Sequence, residues 1–222
     1  VFQSLNRIYI YDTKTQKFSI ITPKNNIIRS FGVENAIYFQ TQNEGLFEIE
    51  NGKSKLVSNN PILQNNRIVN VFATDEGLLI QTQWNGFYQL TSGNLIKFHT
   101  EAESVLSASS IYSCQQLSDG SFALGTISNG LFIMSKDGKI KYNITQNRGL
   151  SNSTVLSLFE DSDKNLWIGL DNGINCINLQ TPVNCFADNT GILGTVYTSL
   201  LFQNKLYIGS NQGLFYKNYG TD

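Results

Sequence analysis

The sequence predicts an all-β protein, a β-propeller built from four-stranded antiparallel blades. A glycine followed by an apolar residue, and usually by an aromatic one, recurs at intervals of 40 to 44 residues, at Gly45, Gly86, Gly130, Gly173 and Gly213. Each interval holds short runs of β-branched and aromatic residues bounded by Gly, Asn or Asp, and no sustained apolar stripe has the 3.6-residue period of a helix. Four short strands in about 42 residues match the length of a propeller blade.

Every repeat has the same predicted order of strands. First strands are predicted at 27–31, 68–73, 111–117, 155–160 and 196–202. A tight turn of residues that tolerate turn dihedral angles leads to second strands at 37–41, 78–82, 122–126, 166–170 and 206–210. The third strand leaves the repeat glycine, and weaker fourth strands are predicted at 55–57, 95–98, 139–144 and 184–186.

The two ends of the sequence predict partial blades. Residues 1–222 are predicted to form a single propeller with repeats at about 1–22, 23–64, 65–107, 108–150, 151–192 and 193–222, the first and last being partial. A degenerate glycine mark at Ser4, Leu5 and Asn6 assigns residues 4–22 to strands three and four, and residues 196–218 to strands one to three. Because strand three would then be supplied twice in one closed blade, we expect a piece of a larger, seven-bladed ring. A self-closed five-bladed ring is the alternative.

The composition excludes several classes of protein. Only 15% of the residues are charged, and 16 Lys and Arg against 17 Asp and Glu give a net charge of −1. A nucleic-acid-binding surface is basic, so we expect no contact with nucleic acid. No apolar run approaches the roughly 20 residues that cross a bilayer. We expect any membrane anchor to lie in other segments, and the start at Val1 indicates a removed signal or a trimmed piece.

No cofactor or metal site is predicted. The chain has a single histidine, His99, and a turn beginning at Asp161 fails the calcium-loop pattern because Leu166 and Asn172 stand where Gly and Glu are needed.

Of the three cysteines, Cys114 is predicted to be packed in the core. Cys176 and Cys185 lie on adjoining predicted strands, and they form either a disulfide or two small buried hydrophobic contacts.

The best-preserved repeat resembles the two-component regulator propeller repeat. It reads GLSNSTVLSLFED over 149–161, LWIG over 166–169 and NGIN over 172–175, and the other repeats are eroded copies. The tryptophan of the family pattern is present only at Trp167, and the threonine of that pattern is replaced by Leu170 in this repeat. The resemblance implies the periplasmic sensor part of a bacterial hybrid histidine kinase, many of which regulate glycan utilisation. It also implies a homodimeric receptor whose kinase and DNA-binding segments lie outside this sequence.

Ligand-binding residues are expected on one face of the propeller. Loops between strands two and three, and between strand four and the next strand one, emerge on the same face. Amides pair with sugar hydroxyls and arginine grips carboxylates, so these loops suit a neutral or acidic oligosaccharide. Trp84 is a candidate platform for a sugar ring, or else it folds onto an adjacent blade. The candidate residues are Asn43, Glu44, Arg67, Trp84, Asn85, Asn129, Arg148, Asn152, Asp171, Asn172 and Asn211.

Two other functions remain open. A propeller without a small ligand would serve protein interaction or dimerisation. A carbohydrate-active enzyme would need two convergent carboxylates. Glu44, Glu101 and Asp171 fall near loops, yet nothing in the sequence pairs them. His99 is the only histidine that could act as a base. The sequence therefore predicts no catalytic residues in this segment.

Overall fold

The structure, a computed structural model, describes residues 1–181 and 191–218. The strands of these residues form six antiparallel sheets, and within each sheet the strands are neighbours in chain order. The predicted fold class, an all-β propeller of antiparallel blades, is confirmed. The six sheets are called blades 1 to 6 in chain order.

Blades 2 to 4 have four strands each, and the other three blades have three described strands each. Blade 1 contains β1 (Phe2–Gln3), β2 (Ile8–Asp12) and β3 (Lys17–Ile21). Blade 2 contains β4 (Ile27–Val33), β5 (Ala36–Thr41), β6 (Gly45–Glu50) and β7 (Lys53–Ser58). Blade 3 contains β8 (Ile68–Thr74), β9 (Gly77–Thr82), β10 (Gly86–Thr91) and β11 (Asn94–Phe98). Blade 4 contains β12 (Ile111–Gln116), β13 (Phe122–Thr126), β14 (Leu131–Met134) and β15 (Ile140–Ile144). Blade 5 contains β16 (Val155–Glu160), β17 (Asn165–Leu170) and β18 (Gly173–Asn178), and blade 6 contains β19 (Val196–Phe202), β20 (Lys205–Ser210) and β21 (Gly213–Asn218).

The chain forms two compact units. The first comprises Val1–Gln146 and Leu150–Gln180, and so holds blades 1 to 5. The second comprises Asn147–Gly149 and the residues from Thr181 onward, and so holds blade 6. That residues 1–222 belong to one ring stays a prediction, as does the number of blades in that ring. The fourth strand predicted at 184–186, together with Cys185, lies outside the described residues.

Neighbouring blades of the first unit pack face to face through interlocking apolar side chains. Phe122 of blade 4 meets two aromatic rings of blade 3, Phe72 at 5.3 Å and Phe87 at 5.2 Å between ring centroids. Between blades 4 and 5 the sheets approach at Gly125, where an added Cβ would lie 2.4 Å from Cγ1 of the fully buried Val155. Any side chain at Gly125 would therefore push blades 4 and 5 apart.

The structure corrects the position of the repeat glycine in blade 1, which the sequence pattern placed at Ser4. Ser4 stands where the other blades carry the threonine or serine that ends strand two, because its hydroxyl donates to the carbonyl of Arg7 and accepts from the Arg7 amide. Arg7, and not Ser4, therefore occupies the position of the repeat glycine. β1 pairs with β2 and supplies the end of strand two, so blade 1 begins earlier than predicted.

Two short helices also lie where loops were expected. They are α1 (Pro61–Asn65) and α2 (Glu103–Ala108), in the connections that lead to blades 3 and 4. The side chain of Asn60 accepts a hydrogen bond from the Ile62 amide at 2.9 Å, and Pro61 begins α1. Helices of five and six residues complete fewer than two turns, so they leave no periodic apolar stripe in a sequence.

Candidate functional site

A short polar loop joins strands two and three of each blade, and we call it the 2–3 loop. The segment that enters strand one of a blade is called its 4–1 connection. In blades 2 to 6 the first amide of the 2–3 loop donates a hydrogen bond to the last carbonyl of the 4–1 connection. The pairs are Gln42 to Asn26, Gln83 to Arg67, Ile127 to Ser110, Asp171 to Thr154 and Asn211 to Thr195, at 2.9 to 3.2 Å. The prediction that both kinds of loop emerge on the same side is confirmed within each of blades 2 to 6.

Further hydrogen bonds join the 2–3 loops of blades 1, 3 and 4 to the next blade. The Ile27 amide donates to the carbonyl of Leu5 in blade 1 at 2.7 Å, and the Ile111 amide donates to the carbonyl of Gln83 in blade 3 at 3.0 Å. The Thr154 hydroxyl donates to the carbonyl of Ile127 in blade 4 at 2.6 Å. Together with a glutamine link between blades 2 and 3, these bonds give blades 1 to 5 one continuous surface of fixed loops, which we call the loop face.

Between blades 2 and 3 a buried glutamine makes this connection. Gln40 occupies the position that Gly125 has in blade 4, and it is fully buried. Its Nε2 donates to the carbonyls of Leu63 and Asn66, each at 2.7 Å, and its Oε1 accepts from the Ile68 amide at 2.8 Å. One side chain thus holds both α1 and the start of β8, a role that the sequence analysis missed because the position was interpreted only as an eroded motif.

A hydroxyl at the end of strand two closes the 2–3 loop. The Thr126 hydroxyl donates to the carbonyl of Gly130 and accepts from the Asn129 amide, both at 2.8 Å. Thr82 makes the corresponding two bonds in blade 3, at 3.0 and 3.1 Å. Leu170 in blade 5 has no hydroxyl, so the blade with the best-preserved sequence lacks this hydroxyl closure.

Five of the predicted ligand-binding residues make hydrogen bonds that hold the loops themselves. Asn85 Nδ2 donates to Asn66 Oδ1 at 2.6 Å, and Asn129 Nδ2 donates to Ser109 Oγ at 2.9 Å. Asn152 Oδ1 accepts from the Thr154 amide at 2.8 Å, and Glu44 Oε2 accepts from the Thr41 hydroxyl at 3.0 Å. In blade 6, Asn211 Oδ1 accepts from the Thr195 amide at 2.8 Å. Within blades 2 to 5, these side chains fix the shape of the loop face. A ligand would bind only to the hydrogen-bond donors and acceptors that these internal bonds leave unoccupied.

The predicted residues divide between the two compact units. In the first unit, Asn43, Trp84, Asp171 and Asn172 are exposed in the 2–3 loops, and 47% of Trp84 is accessible to solvent. Asn43 has φ of 63°, a turn conformation that asparagine tolerates. Arg148 and Asn211 belong to the second unit. The prediction that Trp84 stacks on a sugar ring stays a prediction, and its exposure leaves the ring available for such a contact.

A cationic cluster lies beside these loops. Arg29, on β4, points one guanidinium nitrogen, Nη1, at the carbonyl of Tyr112 on β12, at 3.5 Å. The Arg67 guanidinium carbon, Cζ, lies 5.3 Å from the centroid of the Tyr112 ring. Burial and then the nearby charge of Arg67 lower the pKa of Arg29. The sequence analysis named Arg67 but missed Arg29 and Tyr112, since both lie within predicted strands and no local signal joins them.

The turn at Asp161 has a structural role. Its carboxylate accepts hydrogen bonds from the Asp163 and Asn165 amides, each at 2.9 Å, and from Trp167 Nε1 at 2.7 Å. These bonds lower the pKa of Asp161, with the bond from Trp167 first among the causes. Trp167, named in the sequence analysis only as part of the repeat pattern, is therefore fixed through its indole N–H by this turn.

Among the described residues, the acidic side chains near the loops do not converge on one point. Glu44 is bound by Thr41, and Glu101 lies 3.7 Å from Lys139. His99 is solvated and lies 2.9 Å from Glu103. Within residues 1–181 and 191–218, no group of three or more His, Cys, Asp and Glu side chains has the geometry of a metal site, and no helix is long and apolar enough to span a membrane.

Comparison with known proteins agrees with the repeat analysis. Residues 149–172 match the model of the two-component regulator propeller family. The extracellular domain of a putative hybrid two-component system from B. thetaiotaomicron has a TM-score of 0.61 at 17% identity, covering 97% of this chain and 31% of its own. The extracellular domain of a putative one-component system from the same organism has a TM-score of 0.59 at 20% identity, covering 99% of this chain and 33% of its own. No curated protein matches.

The chain thus spans about a third of the length of these extracellular domains. An enzyme shares the fold as well: virginiamycin B lyase from Staphylococcus aureus has a TM-score of 0.56 at 14% identity, covering 95% of this chain and 72% of its own. Because fold alone does not determine function, the residues of the loop face have to carry the functional argument.

Proposed function

We propose that this chain, which carries a two-component regulator propeller repeat at 149–172, is a ligand-sensing propeller segment of an extracytoplasmic receptor. The receptor would belong to a hybrid two-component system, with its kinase in other segments, and this segment would break no bonds. The family match and the fold of the two B. thetaiotaomicron domains support the class of protein.

The observation that carries the proposal is the loop face itself. Hydrogen bonds within and between blades fix the backbone of the 2–3 loops and 4–1 connections across blades 1 to 5. Preorganised loops lose little conformational entropy when a ligand binds, which favours specific recognition. The exposed side chains on this face include amides, carboxylates and one indole, Trp84. Such groups suit a sugar, with its many hydroxyls and its apolar ring faces, so we propose an oligosaccharide as the ligand.

A thermal-shift screen against a panel of oligosaccharides, followed by calorimetry, tests this function. A ligand that binds only the folded chain raises its melting temperature in proportion to the logarithm of concentration. The variant Trp84→Ala should fold normally and lose affinity by roughly tenfold, a typical effect of removing an aromatic stacking contact. An unchanged affinity in that variant would exclude Trp84 from the site, and a panel without any shift would argue against sugar sensing.

A second candidate function rests on an apolar surface of blade 5. Phe159 and Trp167 lie opposite each other in neighbouring strands, and Ile174 lies on the same side of the sheet. Their exposed fractions are 64%, 44% and 70%. Contiguous exposed apolar side chains mark interaction surfaces, so this surface favours a role in homodimerisation. Light scattering over a range of concentrations tests it, since Phe159→Lys should shift the chain toward the monomer if this surface forms the contact.

A further inference from the structure

Two arginines meet near the inner strands of blades 2 to 4. The first strands β4, β8 and β12 pack side by side in that order. Arg29 starts on β4 and reaches the Tyr112 carbonyl on β12, so its side chain passes across β8. First strands are the innermost strands of propeller blades. The Arg29 side chain therefore crosses β8 on the side that faces the propeller axis.

Arg67 approaches the same tyrosine from the start of β8. Its guanidinium lies over the Tyr112 ring at 5.3 Å, a cation–π distance. A guanidinium that stacks through its face keeps the N–H groups at its edge available for a planar acceptor. Arg29 likewise uses one of its five N–H donors on the Tyr112 carbonyl. The cluster therefore holds several oriented donors that remain for a ligand.

Within residues 1–181 and 191–218, the cluster has no carboxylate partner. Neither Arg29 nor Arg67 lies within 4.0 Å of a carboxylate in the described part of the chain, where the ion pairs involve lysine or histidine. Burial, and then the like charge of the neighbouring Arg67, lower the pKa of Arg29. Placing two half-buried cations together is unfavourable for folding, and an anion bound between them would relieve that cost.

The cluster is also connected to the candidate sugar platform. The Gln83 amide, which precedes Trp84, donates to the Arg67 carbonyl at 2.9 Å, and the Gln83 carbonyl accepts from the Ile111 amide at 3.0 Å. The 2–3 loop that carries Trp84 is thus fixed between the residue that supplies the second arginine and the strand that carries Tyr112.

We propose that Arg29 and Arg67 bind the carboxylate of an acidic sugar residue, so that the ligand of the loop face is a uronate-containing oligosaccharide. This inference deepens the proposed function and rests on it for the sugar part of the ligand. Two guanidinium groups match a planar carboxylate through paired hydrogen bonds. Trp84 and the amides of the neighbouring loops would then contact the sugar rings and hydroxyls.

The experiment compares α-1,4-digalacturonate with α-1,4-galactobiose, which differ only in the oxidation of carbon 6. Calorimetry on the 222-residue chain should show that the acidic disaccharide binds roughly tenfold to hundredfold more tightly, the range for charge-assisted hydrogen bonds. Arg29→Gln and Arg67→Gln should each abolish most of this preference, and Arg67→Lys should restore part of it. Arg7→Gln is the matched control, because it removes one exposed positive charge from the blade 1 loop without touching the cluster.

A second readout separates the two claims. Titration with sodium galacturonate should move the Nε–Hε signals of Arg29 and Arg67 in a ¹⁵N NMR spectrum and leave that of Arg7 in place. If galactobiose binds as tightly as digalacturonate, or if the arginine variants keep the preference, the carboxylate inference is wrong while sugar sensing stands. If neither disaccharide binds but the two signals move, the anion site stands and the proposed function fails. If neither disaccharide binds and no signal moves, both are overturned.

Discussion

The glutamine that links blades 2 and 3 gives the sharpest test of how the loop face is held together. Gln40→Ala removes three hydrogen bonds to buried or half-buried backbone groups, two to α1 and its end and one to the first amide of β8. Gln81 is the matched control, since it occupies the same position in blade 3 and is equally buried. It donates only to the Thr82 carbonyl, and its Oε1 has no hydrogen-bond partner.

Both variants remove the same side-chain atoms from a fully buried position. The difference between their free energies of unfolding therefore measures the contribution of the hydrogen bonds. Each buried backbone group that loses its partner costs about 1–3 kcal/mol. Ile68 and Leu63 are fully buried, and only Asn66 is partly accessible to water. We therefore expect Gln40→Ala to be less stable than Gln81→Ala by about 2–4 kcal/mol. For a chain of this size, that corresponds to a melting temperature lower by roughly 5–15 °C.

Urea unfolding followed by circular dichroism measures this difference directly, because the free energy of unfolding is extrapolated linearly to zero denaturant. Hydrogen exchange should in addition show faster exchange in α1 and at the start of β8 in Gln40→Ala alone. Equal stabilities of the two alanine variants would refute the reasoning, since the cross-blade hydrogen bonds would then contribute nothing beyond the shared cavity.

Three further predictions follow from hydrogen bonds and burial. Thr126→Val should destabilise the chain by about 1–2 kcal/mol in urea unfolding, because the two bonds that close its loop are lost, and Thr126→Ser, which keeps the hydroxyl, should be close to the original. The pKa of Asp161 is lowered below its ordinary value of 3.8. Its contribution to stability is therefore complete above pH 3.8 and is lost as the pH falls below that value. Trp167 fluorescence should change over the same range, and a profile identical in Asp161→Asn would contradict this. Burial raises the pKa of the Cys114 thiol, so mass spectrometry after reduction and iodoacetamide treatment should find Cys114 alkylated only in denaturant, whereas the exposed Cys176 should react in the native chain.

Most of the fold follows from short-range patterns that a single sequence contains. The 40- to 44-residue recurrence of Gly45, Gly86, Gly130, Gly173 and Gly213 depends on turn geometry and close packing, which act locally and recur in each blade. Predicted strand positions therefore agree with the observed strands within a few residues. The error at Ser4 arose because Arg7 is not a glycine and lies 38 residues before Gly45, outside the 40- to 44-residue spacing of the other copies.

The candidate site was only partly predictable for a different reason. Loop position identified Arg67 and Trp84, yet Arg29 belongs to the same cluster only because its long side chain crosses a neighbouring blade to reach Tyr112. That contact joins residues 83 positions apart in sequence. Conversely, Asn85 and Asn129 matched the polar pattern of a ligand surface, but much of their hydrogen-bonding capacity is used to hold the loops. Polarity in a sequence does not distinguish a side chain that binds a ligand from one that fixes a loop.

The opposite side of the blades offers an internal comparison for the site. There, the turns between strands one and two of blades 2 and 3 line a cleft of about 570 Å³ that includes Glu34 and Asp75. Two carboxylates would repel an acidic sugar, whereas Arg29 and Arg67 would attract it. The cleft and the arginine pair therefore differ in the sign of charge that they present to a ligand.

Hydrogen–deuterium exchange with and without digalacturonate tests the central claim, that the loop face receives the ligand, most directly. The account predicts slower exchange of amides in the 2–3 loops of blades 2 to 4 and in residues 66–70, with no change in the turns around Glu34 and Asp75. Protection confined to those turns, or to the exposed surface of blade 5, would contradict it and place binding elsewhere on the chain.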